Sequence, residues 1–258
     1  MQDNVAPFKM QNADAQFNAQ STPANFDKQS ATENFNKQSA TARFNMIEQQ
    51  IRTWDVLDPT VLQLLNDVPR EHFVPSEYQG LAFADIEIPL GYEQTMLSPK
   101  LEGRILQALN VHKHQHILHI GTGSGYFTAL LASLAKHVDS IEINADLSAQ
   151  AAYNLTKNNI SNVTLTIADG ILGQPRNDTA GNQLYDAIVY TGSSPREPAG
   201  VRQQLSIGGV LFMVLGNAPA MQATLIQRIS ETGFREDVLF ETCLPALINA
   251  PQIQQFEF

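Results

Sequence analysis

The stretch Ile117-Leu-His-Ile-Gly-Thr-Gly-Ser-Gly-Tyr126 decides the fold, because it joins an apolar run to a glycine-rich turn and then to an amphipathic segment. Gly121, Gly123 and Gly125 let the backbone approach a ligand closely, and the N-terminus of the following helix offers free N–H groups to an anion. A dinucleotide-binding turn would have its third glycine at the position of Tyr126. The spacing therefore predicts a site for an anionic ligand group and argues against NAD.

Two acidic residues further along the chain extend this predicted site. Glu142 ends the next apolar run, 21 positions after Gly121, where a carboxylate can accept both hydroxyls of a ribose. Asp169 follows the third apolar run, within reach of an adenine ring lying over the strand ends. A ligand with a carboxylate, a ribose and an adenine but no pyrophosphate is S-adenosylmethionine, which we predict as the cofactor. The predicted cofactor-binding residues are Gly121, Thr122, Gly123, Gly125, Glu142, Asp169 and Gly170.

Apolar runs and helical stretches alternate after the glycine turn, which is typical of a parallel sheet covered on both faces. The apolar runs occupy residues 117–120, 138–143, 163–167, 186–190 and 210–215, with helices expected around 126–136, 146–158 and 198–205. Residues 223–230 and 234–243 flank Thr232-Gly233 and indicate a hairpin that adds antiparallel strands at one edge. We predict an α/β, Rossmann-like methyltransferase fold with a mainly parallel, doubly wound sheet and an antiparallel C-terminal hairpin.

Before the glycine turn the pattern predicts a helical entry region that begins near residue 46. Asp58-Pro59 and Ser98-Pro99 each combine an N-cap residue with proline at the first helical position, so a helix is expected after each pair. Ile86, Ile88 and Leu90 alternate with other residues and indicate a short strand.

Residues 1–43 differ in composition from the domain predicted over residues 44–258. They form a low-complexity arm in which phenylalanine recurs every nine residues, at Phe8, Phe17, Phe26 and Phe35, and the spacing continues to Phe44 at the start of the domain. Nine residues are two and a half helical turns, so successive phenylalanines of one helix would point to opposite sides and form no apolar stripe. The arm is either a polar tail grown by duplication or a string of docking motifs for a partner or a second subunit.

Composition and charge limit the classes of partner. The formal net charge of −10 and the pI near 5.0 oppose binding to nucleic acid or to an anionic membrane. Cys243 is the only cysteine, so the chain can form neither an intrachain disulfide nor a cysteine cluster for zinc. No stretch approaches the roughly 20 apolar residues of a membrane helix, and no targeting segment is recognised. We therefore expect a soluble cytoplasmic protein that binds neither membranes nor nucleic acid.

Further motifs are spread over most of the chain. They are Met46-Ile-Glu-Gln-Gln-Ile-Arg52, Val68-Pro-Arg70, Phe73-Val-Pro75, Leu81-Ala-Phe-Ala-Asp85, Gly121-Thr-Gly-Ser-Gly-Tyr126, Asp169-Gly170 and Tyr185-Asp-Ala-Ile188. With these motifs, residues 44–247 resemble the protein-L-isoaspartate O-methyltransferase family. The resemblance implies methyl transfer from S-adenosylmethionine to the carboxylate of an L-isoaspartyl residue, in repair of damaged proteins. The ester would then cyclise to a succinimide without the enzyme.

Two departures from the family pattern fall near this predicted site. The family segment usually reads Gln-Thr-Ile-Ser, one residue, then Pro, whereas Gln94-Thr-Met-Leu-Ser-Pro99 places Leu97 where the family has its active-site serine. Thr95 and Ser98 are the candidate catalytic residues, with capping of the next helix as the alternative role of Ser98. His119 stands where the family usually has Asp or Glu. A carboxylate with a pKa near ~4 is already ionised, so this chemistry requires alignment and exclusion of water but no general base.

Two alternatives remain open from the sequence. His112, His114 and His116 would share one face of an extended segment, but that segment has the composition of a polar loop, and we predict no metal site. The chain could also methylate a different substrate, or serve as a binding or assembly component through its phenylalanine-repeat arm.

Overall fold

The computed structural model describes residues 37–171 and 184–252. The chain divides into two units, Met1–Thr41 and Ala42–Phe258. In the first unit, residues 37–41 are helical, and the Thr41 hydroxyl donates to the Lys37 carbonyl at 3.1 Å. The first four phenylalanines of the predicted repeat lie outside the described residues. The fifth, Phe44, belongs to the second unit, and its side chain is exposed.

The second unit begins with short helical segments. Residues 42–45 are helical and are followed by a π-helix, Met46–Ile51, and by a 3₁₀ helix, Arg52–Trp54. Helix α1 spans Pro59–Asp67, and Asp58 caps it because its Oδ1 accepts from the backbone N–H of Thr60 at 2.7 Å. The predicted Asp58-Pro59 helix start is therefore confirmed. Two further 3₁₀ helices, Arg70–His72 and Ser76–Leu81, follow.

A small antiparallel hairpin precedes the main sheet. It consists of β1 (Ile88–Gly91) and β2 (Gln94–Met96), and Ile88 pairs with Met96. The strand expected from Ile86 therefore begins two residues later, and Ile86 itself is 41% exposed. Helix α2 (Pro99–Leu109) starts after Ser98, as predicted.

Seven strands form the central sheet, with two helices between the first three of them and one helix before the first. The elements are β3 (His116–Ile120), α3 (Tyr126–Leu134), β4 (His137–Glu142), α4 (Ala145–Lys157), β5 (Val163–Ile167), β6 (Tyr185–Ser194), β7 (Leu205–Asn217), β8 (Ala220–Arg228) and β9 (Phe234–Thr242), with α2 preceding β3. The spatial order is β5-β4-β3-β6-β7-β8-β9. The first five strands in this order are parallel, and β8 and β9 are antiparallel to their neighbours. This architecture confirms the predicted fold class and C-terminal hairpin.

The central strands of the sheet are buried on both faces. Ile117 and Leu118 point to opposite faces of β3, yet each exposes 1% or less of its surface. One face packs against α1, α2, α3 and α4 in the larger apolar cluster, and the other face carries a second cluster around Ile188. Since β4 and β6 flank β3 on its two sides, the carboxyl end of β3 is the topological switch point of the sheet, where ligands bind in open α/β folds.

One predicted helix is wrong. Residues 198–205 contain only a 3₁₀ helix, Arg202–Gln204, and Leu205 already begins β7. Gly200 has a φ of +79°, which is incompatible with a right-handed helix, so the segment starting at Pro198 forms a turn and not an α-helix. Leu205 is fully buried because it belongs to the sheet.

Among the described residues 37–171 and 184–252, no helix is long and apolar enough to cross a membrane.

Candidate functional site

The glycine turn lies at the switch point and has an unusual backbone. The φ angles are +95° at Gly121, +55° at Gly123 and +85° at Gly125, which side-chain-bearing residues rarely adopt. A Cβ on Gly121 would also lie 2.8 Å from the Thr191 hydroxyl oxygen. Gly121 and Gly123 line the cleft above the sheet, whereas Gly125 packs against Ala151 of α4. The turn thus offers a bare backbone to a ligand, with the N-terminus of α3 behind it.

Glu142 ends β4 and lines the same cleft. Its Oε2 accepts from the backbone N–H of Gly123 at 2.9 Å, and its Oε1 accepts from that of Asn144 at 3.0 Å. Asn144 in turn caps α4, since its Oδ1 accepts from the N–H of Asp146 at 2.9 Å. The carboxylate is therefore held in place between two loops, with lone pairs remaining for hydroxyl donors in the cleft.

Asp169 and Gly170 follow β5 on the far side of the cleft. Asp169 Oδ1 accepts from the N–H of Ile171 at 2.9 Å, and Oδ2 accepts from Asn249 Nδ2 at 2.6 Å. A Cβ on Gly170 would lie 2.6 Å from Ile120 Cγ2, so only glycine fits at this position without a shift of the strand. The structure thus brings Gly121, Gly123, Glu142, Asp169 and Gly170 together around one cleft.

A C-terminal segment that the sequence analysis missed closes the cleft. Residues 244–248 line it together with Thr191 and Gly192. The segment runs beside β6, because the N–H of Ser193 donates to the Pro245 carbonyl and the N–H of Leu247 donates to the Ser193 carbonyl, both at 2.9 Å. The only sequence signal is its apolar composition after the last strand.

Thr95 and Leu97 line the other wall of the cleft. The Thr95 hydroxyl donates to Glu87 Oε2 at 3.1 Å. Leu97 is buried and lines the cleft. Ser98 lies at the N-cap of α2 but makes no side-chain cap bond, and it lines a neighbouring cavity with Lys100 and Arg104 instead of the cleft.

A buried ion pair fixes the backbone at Leu97, in the wall of the cleft that Thr95 and Leu97 form. Arg70 is fully buried and forms a salt bridge with Glu102, which is also fully buried. Its Nη2 donates to the Leu97 carbonyl at 2.6 Å, and its Nε donates to the Ala82 carbonyl at 2.8 Å. Burial raises the pKa of Glu102 to about 7, an effect that the charge and hydrogen bond of Arg70 oppose.

His119 lies below the glycine turn and does not reach the cleft. It is fully buried, and its ring nitrogens hydrogen-bond the hydroxyls of Thr128 at 2.9 Å and Thr191 at 3.1 Å. Burial lowers the pKa of His119 to about 3, so the ring is neutral at physiological pH. Thr122 also faces this interior, where its hydroxyl lies 2.7 Å from that of Ser140. The Thr122 side chain does not line the cleft.

The tip of the β1–β2 hairpin directly precedes Gln94, which lines the cleft. Tyr92 and Glu93 adopt φ angles of +53° and +58°, which tightens the turn. The Tyr92 hydroxyl donates to Asp146 Oδ2 at 2.5 Å, and Asp146 stands in the first turn of α4. This contact raises the pKa of Tyr92, first through the hydrogen bond and then through the charge of Asp146. The hairpin that carries Thr95 is thus tied to the helix that follows Glu142.

The profile of the family described as protein-L-isoaspartate(D-aspartate) O-methyltransferase matches residues 41–244 of the chain. The protein-L-isoaspartate O-methyltransferase of Rhodopseudomonas palustris (strain ATCC BAA-98 / CGA009) is 35% identical over 213 residues, which are 82% of this chain and 95% of the relative. Protein-L-isoaspartate O-methyltransferase 1 of strain HaA2 of the same species is 38% identical over 205 residues, 79% of this chain and 82% of the relative.

Solved structures show the same fold. A putative protein-L-isoaspartate O-methyltransferase of Plasmodium falciparum, in complex with S-adenosyl-L-homocysteine, superposes with a TM-score of 0.67 at 17% identity, covering 81% of this chain and 98% of that chain. Another protein-L-isoaspartate O-methyltransferase structure gives a TM-score of 0.68 at 22% identity. The match covers 80% of this chain and 66% of that chain.

Proposed function

Because the chain belongs to the protein-L-isoaspartate(D-aspartate) O-methyltransferase family, we propose that it methylates the side-chain carboxylate of L-isoaspartyl residues in damaged proteins, using S-adenosylmethionine. The observation that carries the proposal is the arrangement around the cleft. Glu142 and Asp169 line the same space as the positive-φ glycine turn, at the carboxyl ends of adjacent parallel strands.

The residues present fit the cofactor. Gly121 and Gly123 leave room for the methionine part beside the N-terminus of α3, and Glu142 offers lone pairs to the ribose hydroxyls. Asp169 lies where it can accept from the adenine amino group. When bound, S-adenosylmethionine supplies an electrophilic methyl group on a positively charged sulfur.

The chain's own residues align the acceptor and keep water out. A carboxylate is already ionised at neutral pH, so no side chain has to remove a proton before its oxygen attacks the methyl carbon. Leu97 and Thr95 form the wall beside the glycine turn, and residues 244–248 cover the cleft from the other side. In this proposal the Thr95 hydroxyl and the backbone near Leu97 position the attacking oxygen, since alignment is the main requirement of the reaction.

The proposal includes the cytoplasm as the location and proteins or peptides with isoaspartyl residues as partners. The single cysteine, Cys243, is exposed and free, which suits a reducing compartment. The net charge of −10 opposes steering toward nucleic acid or anionic membrane surfaces.

The test is a methyl-transfer assay with labelled cofactor against an isoaspartyl peptide and its aspartyl twin. We expect methylation of the isoaspartyl peptide alone. Glu142→Gln should weaken cofactor binding about tenfold or more, because a charge-assisted hydrogen bond becomes a neutral one. Glu77→Gln is the matched control, since Glu77 is exposed and does not line the cleft. Methylation of neither peptide by a protein that binds the cofactor would mean that the acceptor is a different carboxylate or small molecule.

A further inference from the structure

Two histidines and an aspartate form a cluster at the start of strands β3 and β4. His116 and His137 are paired residues on these parallel strands, and Asp139 follows two positions after His137, on the same face. His116 Nε2 lies 3.0 Å from Asp139 Oδ2, and His137 Nε2 lies 3.4 Å from Asp139 Oδ1. One ligand atom from each of the three side chains lies within 4.8 Å of the other two.

The spacing of these atoms is close to that of a metal coordination shell. Donor atoms bound to Zn²⁺ at about 2.0–2.2 Å in tetrahedral geometry are about 3.3–3.6 Å apart. The two histidine–aspartate distances, 3.0 and 3.4 Å, are close to this range, and they go to the two different oxygens of the carboxylate. To share one ion, the three ligand atoms have to close in from within 4.8 Å of one another, which the partly exposed side chains allow through small rotations.

A neighbouring hydroxyl supports the carboxylate, since the Tyr185 hydroxyl donates to Asp139 Oδ2 at 3.1 Å. The Thr164 hydroxyl lies 2.9 Å from His137 Nε2, and a metal ion bound to this nitrogen would replace that contact. An outer hydroxyl partner such as that of Tyr185 orients a metal ligand.

We propose that His116, His137 and Asp139 form a binding site for a divalent transition-metal ion of the Zn²⁺ class. Two imidazoles and one carboxylate are donors that such ions prefer, and the partial exposure of all three side chains leaves room for water as a further ligand. The site is distinct from the cofactor cleft, because it lies at the opposite end of β3, about 16 Å away along the strand.

The ion would join the two strands that carry the catalytic loops at their other ends. β3 leads into the glycine turn and β4 ends at Glu142, so a metal bridge between His116 and His137 would hold these strands in register. Because the ion binds the folded chain and not the unfolded one, it should raise the melting temperature.

The experiment uses the untagged full-length protein, stripped with a chelator and titrated with ZnCl₂ by calorimetry and with Co²⁺ by visible absorption. We expect one equivalent to bind, and the ligand-field bands of low-coordinate Co²⁺ to appear. His137→Gln and Asp139→Asn should each weaken binding about tenfold or more, since loss of even a supporting group costs this much at metal sites. His114→Gln is the control, because His114 is exposed and its ring stacks on that of His112.

Circular dichroism in chelator checks that each variant is folded, and Zn²⁺ should raise the melting temperature of the wild type but not of Asp139→Asn. Asp139→Asn keeps the shape of the side chain, so it serves as the second variant if His137→Gln does not fold. The proposal is overturned if the stripped wild type binds no equivalent of either ion. It is also overturned if His114→Gln reduces binding as much as the cluster variants do.

Discussion

Nη2 of Arg70 donates a 2.6 Å hydrogen bond to the backbone carbonyl of Leu97, so a buried guanidinium holds a residue that lines the cleft. The same guanidinium is paired with the buried carboxylate of Glu102 and lies over the ring of Tyr126. The ion pair thus connects α2 and α3 with the backbone of the cleft wall. If this wall aligns the substrate as proposed, Arg70 contributes both to the stability of the fold and to that alignment, and variants can separate the two roles.

Arg70→Leu should lower the free energy of unfolding by about 3–5 kcal/mol, because it leaves the buried Glu102 carboxylate without a partner. The double variant Arg70→Leu/Glu102→Leu should recover most of this loss in urea unfolding. Its methyl-transfer rate should stay low, since the Leu97 carbonyl still lacks its donor. Full recovery of the rate in the double variant would contradict the positioning role.

Tyr92→Phe should speed release of S-adenosylhomocysteine a few-fold, because it removes the hydrogen bond that ties the hairpin tip to Asp146 beside the cleft. The measurement is the dissociation rate in stopped flow. Tyr153→Phe is the control, because Tyr153 is an exposed tyrosine on α4, the helix that contains Asp146, and does not line the cleft. Equal rates for wild type and Tyr92→Phe would show that the tip does not limit release.

His119 should make the protein less stable in acid. Because burial lowers its pKa to about 3 from 6.5, the unfolded chain binds more protons than the folded chain between these values. The free energy of unfolding should therefore decrease as the pH falls through this window, by at most about 1.4 kcal/mol per pH unit. His119→Asn removes this contribution, so the stability difference between wild type and variant should narrow from about pH 7.5 to about pH 5.5 in urea unfolding. A difference that is constant with pH would mean that the buried ring is not the cause.

Deleting residues 1–40 should leave the melting temperature almost unchanged. The nine-residue spacing of the phenylalanines and the polar composition give this arm no apolar stripe of its own. If the arm contains docking motifs, light scattering should show a smaller oligomer for the deleted protein. A large loss of melting temperature would show that the arm packs on the domain instead.

The parts of the site that follow from local pattern could be predicted from the sequence. The glycine turn, Glu142 and Asp169 all lie directly after apolar runs, and parallel strands bring such ends together. The covering segment 244–248 could not be predicted, because it depends on backbone bonds to Ser193, about 50 positions earlier. The hydrogen bond between Arg70 and Leu97 is also non-local. The helix predicted at residues 198–205 does not form because of the positive φ angle of Gly200, which the apolar pattern does not indicate.

The sharpest prediction concerns Leu97, which occupies the place of a serine in the family pattern. A serine hydroxyl can hydrogen-bond the substrate carboxylate, whereas leucine offers only shape. Since Arg70 fixes the backbone of Leu97 at the cleft wall, the hydroxyl in Leu97→Ser would be held beside the acceptor. We expect kcat/KM on the isoaspartyl peptide to rise, by up to about a hundredfold if the acceptor is at present about 1 Å out of place.

Ser98→Ala tests whether Ser98 supplies this hydroxyl in the wild type. Because Ser98 lines a neighbouring cavity and makes no cap bond, the variant should keep the wild-type kcat/KM. A strong loss would instead mean that the loop shifts when substrate binds and that Ser98 replaces the missing serine. If the wild type is already efficient and Leu97→Ser gives no gain, a hydroxyl at this position does not limit alignment, and Thr95, which also lines the cleft, becomes the next residue to vary.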